Sequence, residues 1–268
     1  MNQPKLHFEI TGAGRPVLLL HGFGANSYTW KYLRDPLSHR FRLIMPDLKG
    51  HGLSPKPNDK RYSVYDQAEL IHRLIIDQDL KDFIIVGHSF GGAICLVTTL
   101  RLLETEPARL AKLVLIDGAA FRQRWPRFLR ILRAPLLGDL AIRILPNRFQ
   151  VLSTLRETYY DGGKISDDFV QAYAAPLRMP GAKSALVATA RQIVPSNIDD
   201  LIARYPTIAV PTLILWGKED KVVPLQVGER LHQAIPNSRM MVLEECGHVP
   251  QEEQPEAALA AIQDFLAG

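Results

Sequence analysis

Short, almost uninterrupted apolar runs recur along this chain and constrain its fold more than any other feature of the sequence. Six such runs lie at positions 17–20, 41–45, 83–86, 113–116, 212–216 and 240–243. Strands with one face in water alternate apolar and polar residues, whereas strands of a parallel sheet are buried on both faces and are apolar throughout. The runs therefore predict the strands of a parallel β-sheet that is covered on both sides.

Segments with helical character lie between several of these runs. Positions 63–79 begin with Ser63, a residue type that caps helices, and then carry apolar residues at helical spacing. Positions 89–103 and 255–266 have the same character. Because strands alternate with helices along the chain, we predict an α/β fold with a doubly wound, mostly parallel sheet.

The alternation stops between positions 119 and 206. No strand pattern occurs there, and prolines recur between segments that have helical patterns. The strand rhythm resumes with the segment at 208–216. We therefore predict that residues 1–118 and 207–268 form the core and that residues 119–206 form an inserted α-helical cap.

The composition is that of an ordinary globular protein, with 268 residues, 47% of them hydrophobic, and a formal net charge of +4. No run approaches the ~20 apolar residues that cross a bilayer, and positions 1–10 do not have the pattern of a secretory signal. Cys95 and Cys246 are too few for a disulfide framework. We expect a soluble, cytoplasmic protein. The positive charge is not concentrated as in nucleic-acid-binding proteins, so no nucleic-acid partner is expected.

Ser89 stands in a pattern that is typical of a nucleophile. Gly87 and Gly91 flank it, an apolar run precedes it, and a helical segment begins at it. A sharp strand-to-helix turn strains the backbone of its central residue, and side chains two positions away would collide there. Gly92 would let the helix pack closely. Such a turn exposes the serine hydroxyl beside a helix N-terminus, which favours developing negative charge.

Four blocks of the sequence, each placed after a predicted strand, resemble the α/β-hydrolase superfamily. They are His-Gly-Phe-Gly at 21–24, Asp-Leu-Lys-Gly-His-Gly-Leu-Ser at 47–54, the serine turn at 87–92, and Gly-Lys-Glu-Asp at 217–220 together with Gly-His-Val-Pro at 247–250. The carboxyl ends of the strands form the ligand crevice of an open α/β sheet, so the blocks are expected to converge at one edge. The resemblance covers nearly the whole chain apart from the insertion.

The resemblance implies a catalytic triad in the chain order serine, acid, histidine. Ser89 would be the nucleophile, His248 the general base, and Asp220 the acid that orients the histidine. Asp117 also ends a predicted strand, and the family sometimes takes its acid from that position. Asp220 is favoured because the sequence around it matches the acid loop of the family, and Asp117 stays the alternative.

The resemblance also implies an oxyanion hole formed by the backbone N–H groups of Phe23 and Phe90. Acyl transfer by such a triad requires no cofactor and no metal ion, so neither is expected. The expected partner is a small-molecule ester. An apolar substrate pocket is predicted from the aromatic residues beside the serine and in the insertion, which are Phe23, Phe90, Phe121, Trp125, Phe128 and Phe149.

The favoured function is hydrolysis of a small hydrophobic carboxylic ester. Serine at the turn disfavours epoxide hydrolase and haloalkane dehalogenase chemistry, for which similar relatives use aspartate. Serine relatives that cleave carbon–carbon bonds in ring-fission products stay an alternative. They commonly carry asparagine before the serine and tryptophan after the histidine, where this chain has His88 and Val249. A ligand receptor that keeps the triad but turns over little is a second alternative.

Positions 121–133 interleave five arginines with aromatic and aliphatic residues. A basic amphipathic helix can lie on an anionic membrane or bind an acidic partner. A cap helix that buries one face and exposes the other produces the same pattern, and this interpretation is favoured. Membrane contact is the lesser alternative, and the sequence does not predict an oligomeric state.

Overall fold

Seven strands form one sheet in this computed structural model, which describes residues 4–267. The strands are β1 (Phe8–Thr11), β2 (Arg15–Leu20), β3 (Phe41–Pro46), β4 (Phe83–His88), β5 (Leu110–Ile116), β6 (Thr212–Gly217) and β7 (Ser238–Leu243). Their order is β1-β3-β2-β4-β5-β6-β7, and every neighbouring pair is parallel except β1 with β3. The predicted fold class is confirmed. Residues 1–3 and 268 of the predicted core lie outside the described residues.

Helices cover both faces of the sheet and fill the insertion. The α-helices of the described chain are α1 (Lys31–Ser38), α2 (Val64–Asp77), α3 (Phe90–Thr105), α4 (Arg127–Arg133), α5 (Leu137–Ile144), α6 (Asn147–Thr158), α7 (Asp167–Ala174), α8 (Ala182–Gln192), α9 (Ile198–Ala203), α10 (Leu225–Ala234), α11 (Pro250–Glu253) and α12 (Pro255–Ala267). Short 3-10 turns occupy Ser27–Trp30, Pro107–Arg109, Gly162–Lys164, Pro176–Arg178 and Tyr205–Thr207.

The strands bury successive residues on opposite faces of the sheet. On β2, Leu18 and Leu20 pack in the cluster that contains residues of α2, α3 and α10, whereas Val17 and Leu19 pack in the cluster with residues of α1 and α12. Each central strand is therefore buried on both sides, which is why its sequence does not alternate.

The helix α2 begins with the cap that the sequence predicts. The Ser63 hydroxyl accepts a hydrogen bond from the Asp66 N–H, and the Asp66 carboxylate accepts one from the Ser63 N–H. This reciprocal capping box satisfies two N–H groups that the first turn leaves without helical partners. Four strands and α-helices of the core, β1, α1, α10 and α11, have no counterpart in the predictions; β1 is a short edge strand, α1 contains a proline and α11 is four residues long.

The insertion contains only helices and turns. Within the described chain no strand occurs between Ile116 and Thr212, where α4 to α9 are found. Helices α4, α5 and α8 contact one another, and α6 contacts α7. The arginine-rich segment is helical only over α4, in which Leu129 is buried. No helix among residues 4–267 combines the length and the apolar character that crossing a membrane requires.

The topology places a crevice beside β2. Within the sheet, β3 is the neighbour of β2 on one side and β4 is its neighbour on the other side. At such a switch the loops that follow neighbouring strands diverge and leave room for a ligand. The loops after β2 and β4 begin at His21 and Ser89, so the first and third blocks of the resemblance meet at this point.

The close packing of α3 against the chain after β5 depends on a glycine. A Cβ atom at Gly92 would lie 2.7 Å from the Cα atom of Gly118, which is backbone and cannot move aside. We expect Gly92→Val to lower the free energy of unfolding by about 3 kcal/mol through overpacking. Urea unfolding followed by circular dichroism measures the change.

The matched control is Gly162→Val, because a Cβ atom there has no neighbour within 4 Å. We expect this variant to differ from the parent by no more than about 0.5 kcal/mol. Equal losses in the two variants would show that the packing argument is wrong.

Candidate active site

Ser89 occupies the turn between β4 and α3 in a strained backbone conformation. Its φ is 52° and its ψ is −115°, a left-handed geometry that residues with side chains rarely adopt. The Ser89 N–H donates to the carbonyl of Ile116 at 2.9 Å, and the Ser89 carbonyl accepts from the N–H groups of Gly92 at 2.9 Å and Ala119 at 3.0 Å. These bonds fix the strained turn to the end of β5.

Glycines surround Ser89 because other chain segments approach closely. A Cβ atom at Gly87 would lie 2.5 Å from the sulfur of Cys95 and from the carbonyl oxygen of Gly91. A Cβ atom at Gly91 would lie 2.7 Å from the carbonyl oxygen of His21. The collision that the sequence pattern predicts is therefore with the backbone of the turn itself and with the chain after β2.

Ser89, His248 and Asp220 form one chain of hydrogen bonds. His248 Nε2 lies 2.8 Å from Ser89 Oγ, and His248 Nδ1 lies 2.7 Å from Asp220 Oδ2. The other Asp220 oxygen accepts the N–H groups of Val222 at 2.7 Å and Val223 at 2.9 Å. Because the carboxylate accepts, His248 Nδ1 carries the proton and Nε2 is free to accept one from the serine.

The main chain of His248 is held on both sides. Its N–H donates to the Thr158 carbonyl at 2.6 Å, and its carbonyl accepts from His88 Nε2 at 2.7 Å. Burial lowers the pKa of His88 well below its usual value, so this imidazole is neutral and carries its proton on Nε2. These contacts were not predicted, because a backbone carbonyl such as that of Thr158 has no signature in the sequence.

The Phe23 and Phe90 N–H groups, which are the predicted oxyanion hole, have no acceptor within residues 4–267. Both residues line the cavity that contains Ser89. A Cβ atom at Gly22 would lie 3.2 Å from Ser89 Cβ, so the loop after β2 passes directly over the serine. Phe90 also begins α3, where the helix dipole favours negative charge.

His21 holds this loop in place. Its Nδ1–H donates to the Gly22 carbonyl at 2.8 Å, and its Nε2 accepts the Leu48 N–H at 3.0 Å. Burial lowers the pKa of His21, which agrees with a neutral ring that donates on one side and accepts on the other. Asp47 shapes the neighbouring loop, because its carboxylate accepts the N–H groups of Ser27 and Leu53.

A cavity of about 160 Å³ lies beside Ser89 and His248. Phe121, Trp125 and Phe128 line it as predicted, but the prediction is wrong for Phe149, which is 57% exposed. Helix α6 turns five other residues to the cavity and leaves Phe149 outside; they are Gln150, Val151, Thr154, Leu155 and Thr158.

The electrostatic character of the cavity is set by few groups. Among the described lining residues, the ionisable side chains are those of His88, His248, Tyr173 and Glu252, and there is no lysine or arginine. The remaining wall is mostly aliphatic and aromatic, with contributions from both the core and the insertion. Such a cavity favours neutral, apolar groups.

A family model described as "alpha/beta hydrolase fold" matches residues 15–255. The chain belongs to the α/β-hydrolase family. The match spans β2 to the start of α12, so it includes the triad residues and the loop after β2.

Relatives of this α/β-hydrolase have more than one named activity. It is 29% identical over 270 residues to the 2-hydroxy-6-oxo-2,4-heptadienoate hydrolase of Pseudomonas putida, with 96% of this chain and 90% of the relative covered. It is 31% identical over 256 residues to Lipase 3 of a Moraxella species, with 90% and 73% covered. The solved esterase of Exiguobacterium antarcticum superimposes with a TM-score of 0.83 at 25% identity, covering 99% and 96%. These names support a hydrolase.

Asp117, the alternative acid, lies close to Asp220 but does not bond to the histidine. It is fully buried, and its Oδ1 accepts the Gly217 N–H at 3.0 Å. Ligand atoms of Asp117, Asp220 and His248 lie within 4.8 Å of one another. Burial and the neighbouring Asp220 raise the pKa of Asp117 well above its ordinary value. The raised pKa favours the neutral form of Asp117 beside Asp220.

The same three residues are the described group that could hold a metal ion. His248 Nδ1 and Asp220 Oδ2 are already bonded to each other at 2.7 Å, so an ion would have to replace the hydrogen bond that orients the histidine. The hydrogen-bonded arrangement uses these atoms without an ion. Activity without a metal stays a prediction.

Glu253 joins the insertion to the histidine loop. Its carboxylate is buried and accepts the N–H groups of Gly247 at 2.7 Å, Tyr160 at 3.1 Å and Asp161 at 2.7 Å. Two of these donors belong to the insertion and one belongs to the residue before His248. The position of the insertion is thus tied directly to the position of the base.

Glu252 makes a second connection with hydroxyl groups. It accepts hydrogen bonds from Thr29 at 2.5 Å, Tyr173 at 2.5 Å and Tyr159 at 2.7 Å. Burial raises the pKa of Glu252 above its ordinary value, while the three hydroxyl donors oppose that effect. Neither glutamate was predicted, because consecutive glutamates in a sequence normally indicate an exposed surface.

The different contacts of the two acids lead to different expected activities. We expect Asp220→Asn to lower kcat for an activated ester by about 10³- to 10⁴-fold, since an amide would disturb the tautomer of His248. We expect Asp117→Asn to change kcat by less than about tenfold, because asparagine resembles the neutral acid. Steady-state hydrolysis of p-nitrophenyl acetate measures both. A larger loss in Asp117→Asn would assign the acid to Asp117 instead.

The raised pKa of Asp117 also predicts a dependence of stability on pH. Above its ordinary pKa of 3.8 the unfolded chain ionises this carboxyl while the folded chain keeps it protonated, so the folded state binds more protons. Its contribution to stability is therefore full below about pH 4 and is lost as pH rises, by at most about 1.4 kcal/mol per pH unit.

Asparagine does not ionise, so the free energy of unfolding of Asp117→Asn should increase relative to the parent between pH 5 and pH 8. Urea unfolding of both proteins across this range provides the comparison. A difference that stays constant with pH would contradict the neutral state of Asp117.

Proposed function

We propose that this α/β-hydrolase is a serine hydrolase that cleaves small, neutral carboxylic esters through an acyl-enzyme on Ser89. His248 Nε2 would take the hydroxyl proton as Ser89 Oγ attacks the carbonyl carbon, and would then give it to the leaving alcohol. The Phe23 and Phe90 N–H groups would stabilise the oxyanion. Water, activated by the same histidine, would release the acid and restore the serine.

The observation that carries the choice of substrate is the lack of a cationic side chain among the described residues of the cavity wall. A carboxylate transferred from water into such a wall would lose its hydration without gaining a partner. The only acidic group there, Glu252, would repel it further. A neutral ester loses little hydration and gains apolar contacts.

The carbon–carbon bond hydrolases are the second candidate, since a relative with that named activity covers 96% of this chain. Its name gives its substrate as a heptadienoate, which is a carboxylate. A binding site for this anion would need a cation or several N–H donors besides the oxyanion hole. The cavity wall offers no arginine or lysine among the described residues, which favours the ester.

The size of the cavity supports a short acyl or alcohol group. A closed apolar cavity of roughly 150 Å³ holds a molecule the size of benzene, and the cavity beside Ser89 measures about 160 Å³.

The proposal also keeps the cytoplasmic location, which is supported by two buried cysteines that form no disulfide.

A matched pair of substrates tests the proposal. p-Nitrophenyl butyrate and the p-nitrophenyl monoester of succinic acid have acyl chains of equal length, but only the second ends in a carboxylate. We expect kcat/KM to be at least about 100-fold higher for the butyrate, because the buried carboxylate has no partner. The rate of p-nitrophenol release at neutral pH measures both.

Ser89→Ala is the control and should abolish release from both esters while the thermal unfolding transition is kept. Equal rates for the two esters would contradict the neutral substrate. Faster turnover of a dienoate ring-fission product than of the butyrate would favour the carbon–carbon hydrolase. Release of no more than one equivalent of p-nitrophenol per chain would favour the receptor.

A further inference from the structure

The outer side of the insertion exposes a row of large apolar residues. We define this apolar ridge as Leu136, Leu137, Leu140, Ile144 and Phe149, whose side chains are 84%, 56%, 56%, 68% and 57% exposed. Three of them lie on one face of α5, since they are spaced by three and four residues. The Gln150 side chain donates to the carbonyls of Ile142 and Leu145, which holds the start of α6 against the end of α5.

An exposed row of this kind is unusual on a protein surface. Single exposed leucines are common, whereas contiguous apolar patches generally mark a contact with a protein, a ligand or a membrane. The ridge is not the wall of the cavity, because the residue of α5 that lines the cavity is Ile142, which is buried. Leu137, Leu140 and Ile144 of the ridge lie on the opposite face of the same helix.

Arginines lie on α5, which carries three residues of the ridge, and on α4, which contacts α5. Arg127 and Arg130 on α4 and Arg143 on α5 are exposed. No carboxylate of residues 4–267 lies within salt-bridge distance of these three guanidinium groups, whereas the nearby Asp139 is already paired with Arg191 at 2.7 Å. The three guanidinium groups of α4 and α5 therefore carry positive charge that no described carboxylate compensates through a salt bridge.

We propose that the apolar ridge and its three arginines dock the protein on an anionic lipid surface, with α5 lying in the plane of the interface. Leucine, isoleucine and phenylalanine side chains would enter the boundary between headgroups and acyl chains, and the arginines would contact lipid phosphates. Neither element suffices alone, since a few apolar side chains bind weakly and arginines without apolar anchors are displaced by salt.

The charge of this surface argues against a second copy of the chain as its occupant. In a symmetric dimer the same patch contacts itself, so the arginines of both copies would enter one interface to which the patch brings no free carboxylate. An anionic bilayer satisfies both features of the surface at once. The inference is independent of the proposed function, because binding to vesicles can be measured with Ser89→Ala.

The test is flotation of the full chain with large unilamellar vesicles. Vesicles of phosphatidylcholine with 30% phosphatidylserine are compared with vesicles of phosphatidylcholine alone, at about 50 mM and about 500 mM NaCl. We expect binding to the anionic vesicles at low salt, and at least about tenfold weaker binding to the neutral vesicles or at high salt.

Two pairs of variants separate the ridge and the arginines from general surface effects. Ile144→Ser should weaken binding about tenfold and Arg143→Gln about fivefold, through the loss of an apolar anchor and of a charge. Ile76→Ser and Arg73→Gln, at exposed positions of α2, are the matched controls and should bind like the parent. Unchanged thermal unfolding verifies that each variant is folded.

The proposal is overturned if the protein does not float with anionic vesicles, if it binds neutral vesicles equally, or if Ile144→Ser binds like the parent. Sedimentation velocity adds one further outcome. A dimer that dissociates in Ile144→Ser, together with no vesicle binding, would assign the ridge to a second copy of the chain.

Discussion

The left-handed backbone of Ser89 is the constraint on which the rest of the site depends. A residue with a side chain held in this geometry costs on the order of 1–3 kcal/mol, and the geometry persists only where the surroundings fix it. Here the fixing groups are the Ile116 carbonyl, the Ala119 N–H and the glycines packed against the turn. Because β4, β5 and α3 supply these groups, the backbone conformation of the nucleophile depends on the parallel sheet. The same turn leaves the Phe90 N–H beside the hydroxyl without an acceptor in residues 4–267.

The histidine loop solves a second problem, which is the burial of carboxyl groups. Asp117, Asp220, Glu252 and Glu253 are all buried near His248, and a buried charge without partners is very costly. These carboxyls are accommodated in three ways. Asp220 and Glu253 accept backbone N–H groups, Glu252 accepts hydroxyls, and the raised pKa of Asp117 favours its neutral form. Glu252 and Glu253 accept hydrogen bonds from donors of the insertion. These two carboxylates therefore fix the position of the insertion relative to His248.

The sequence predicts what depends on local pattern and leaves open what depends on tertiary contacts. Continuous apolar runs indicate the parallel strands because burial on both faces leaves no polar positions. The serine turn is equally local, since it needs glycines at fixed offsets from Ser89. Glu252 and Glu253 have no such signature, since two consecutive glutamates in a sequence indicate a solvent-exposed surface. The prediction that Phe149 lines the cavity is wrong for a related reason. An aromatic residue on a helix of the insertion can face the cavity or the outside, and only the neighbours of α6 decide which.

The insertion is one helix thick where α5 separates the cavity from the outer surface. One face of α5 therefore lines the cavity, and the opposite face is exposed. Residues two positions apart on a helix differ by about 200° in direction, so Ile142 and Ile144 face opposite sides. An apolar cavity explains an apolar inner face. It does not explain the outer one, because a helix that only covered a cavity would be stabilised by polar residues in water. The cavity therefore does not explain the apolar outer face and the unpaired arginines of α4 and α5, whereas the proposed anionic lipid surface would match both.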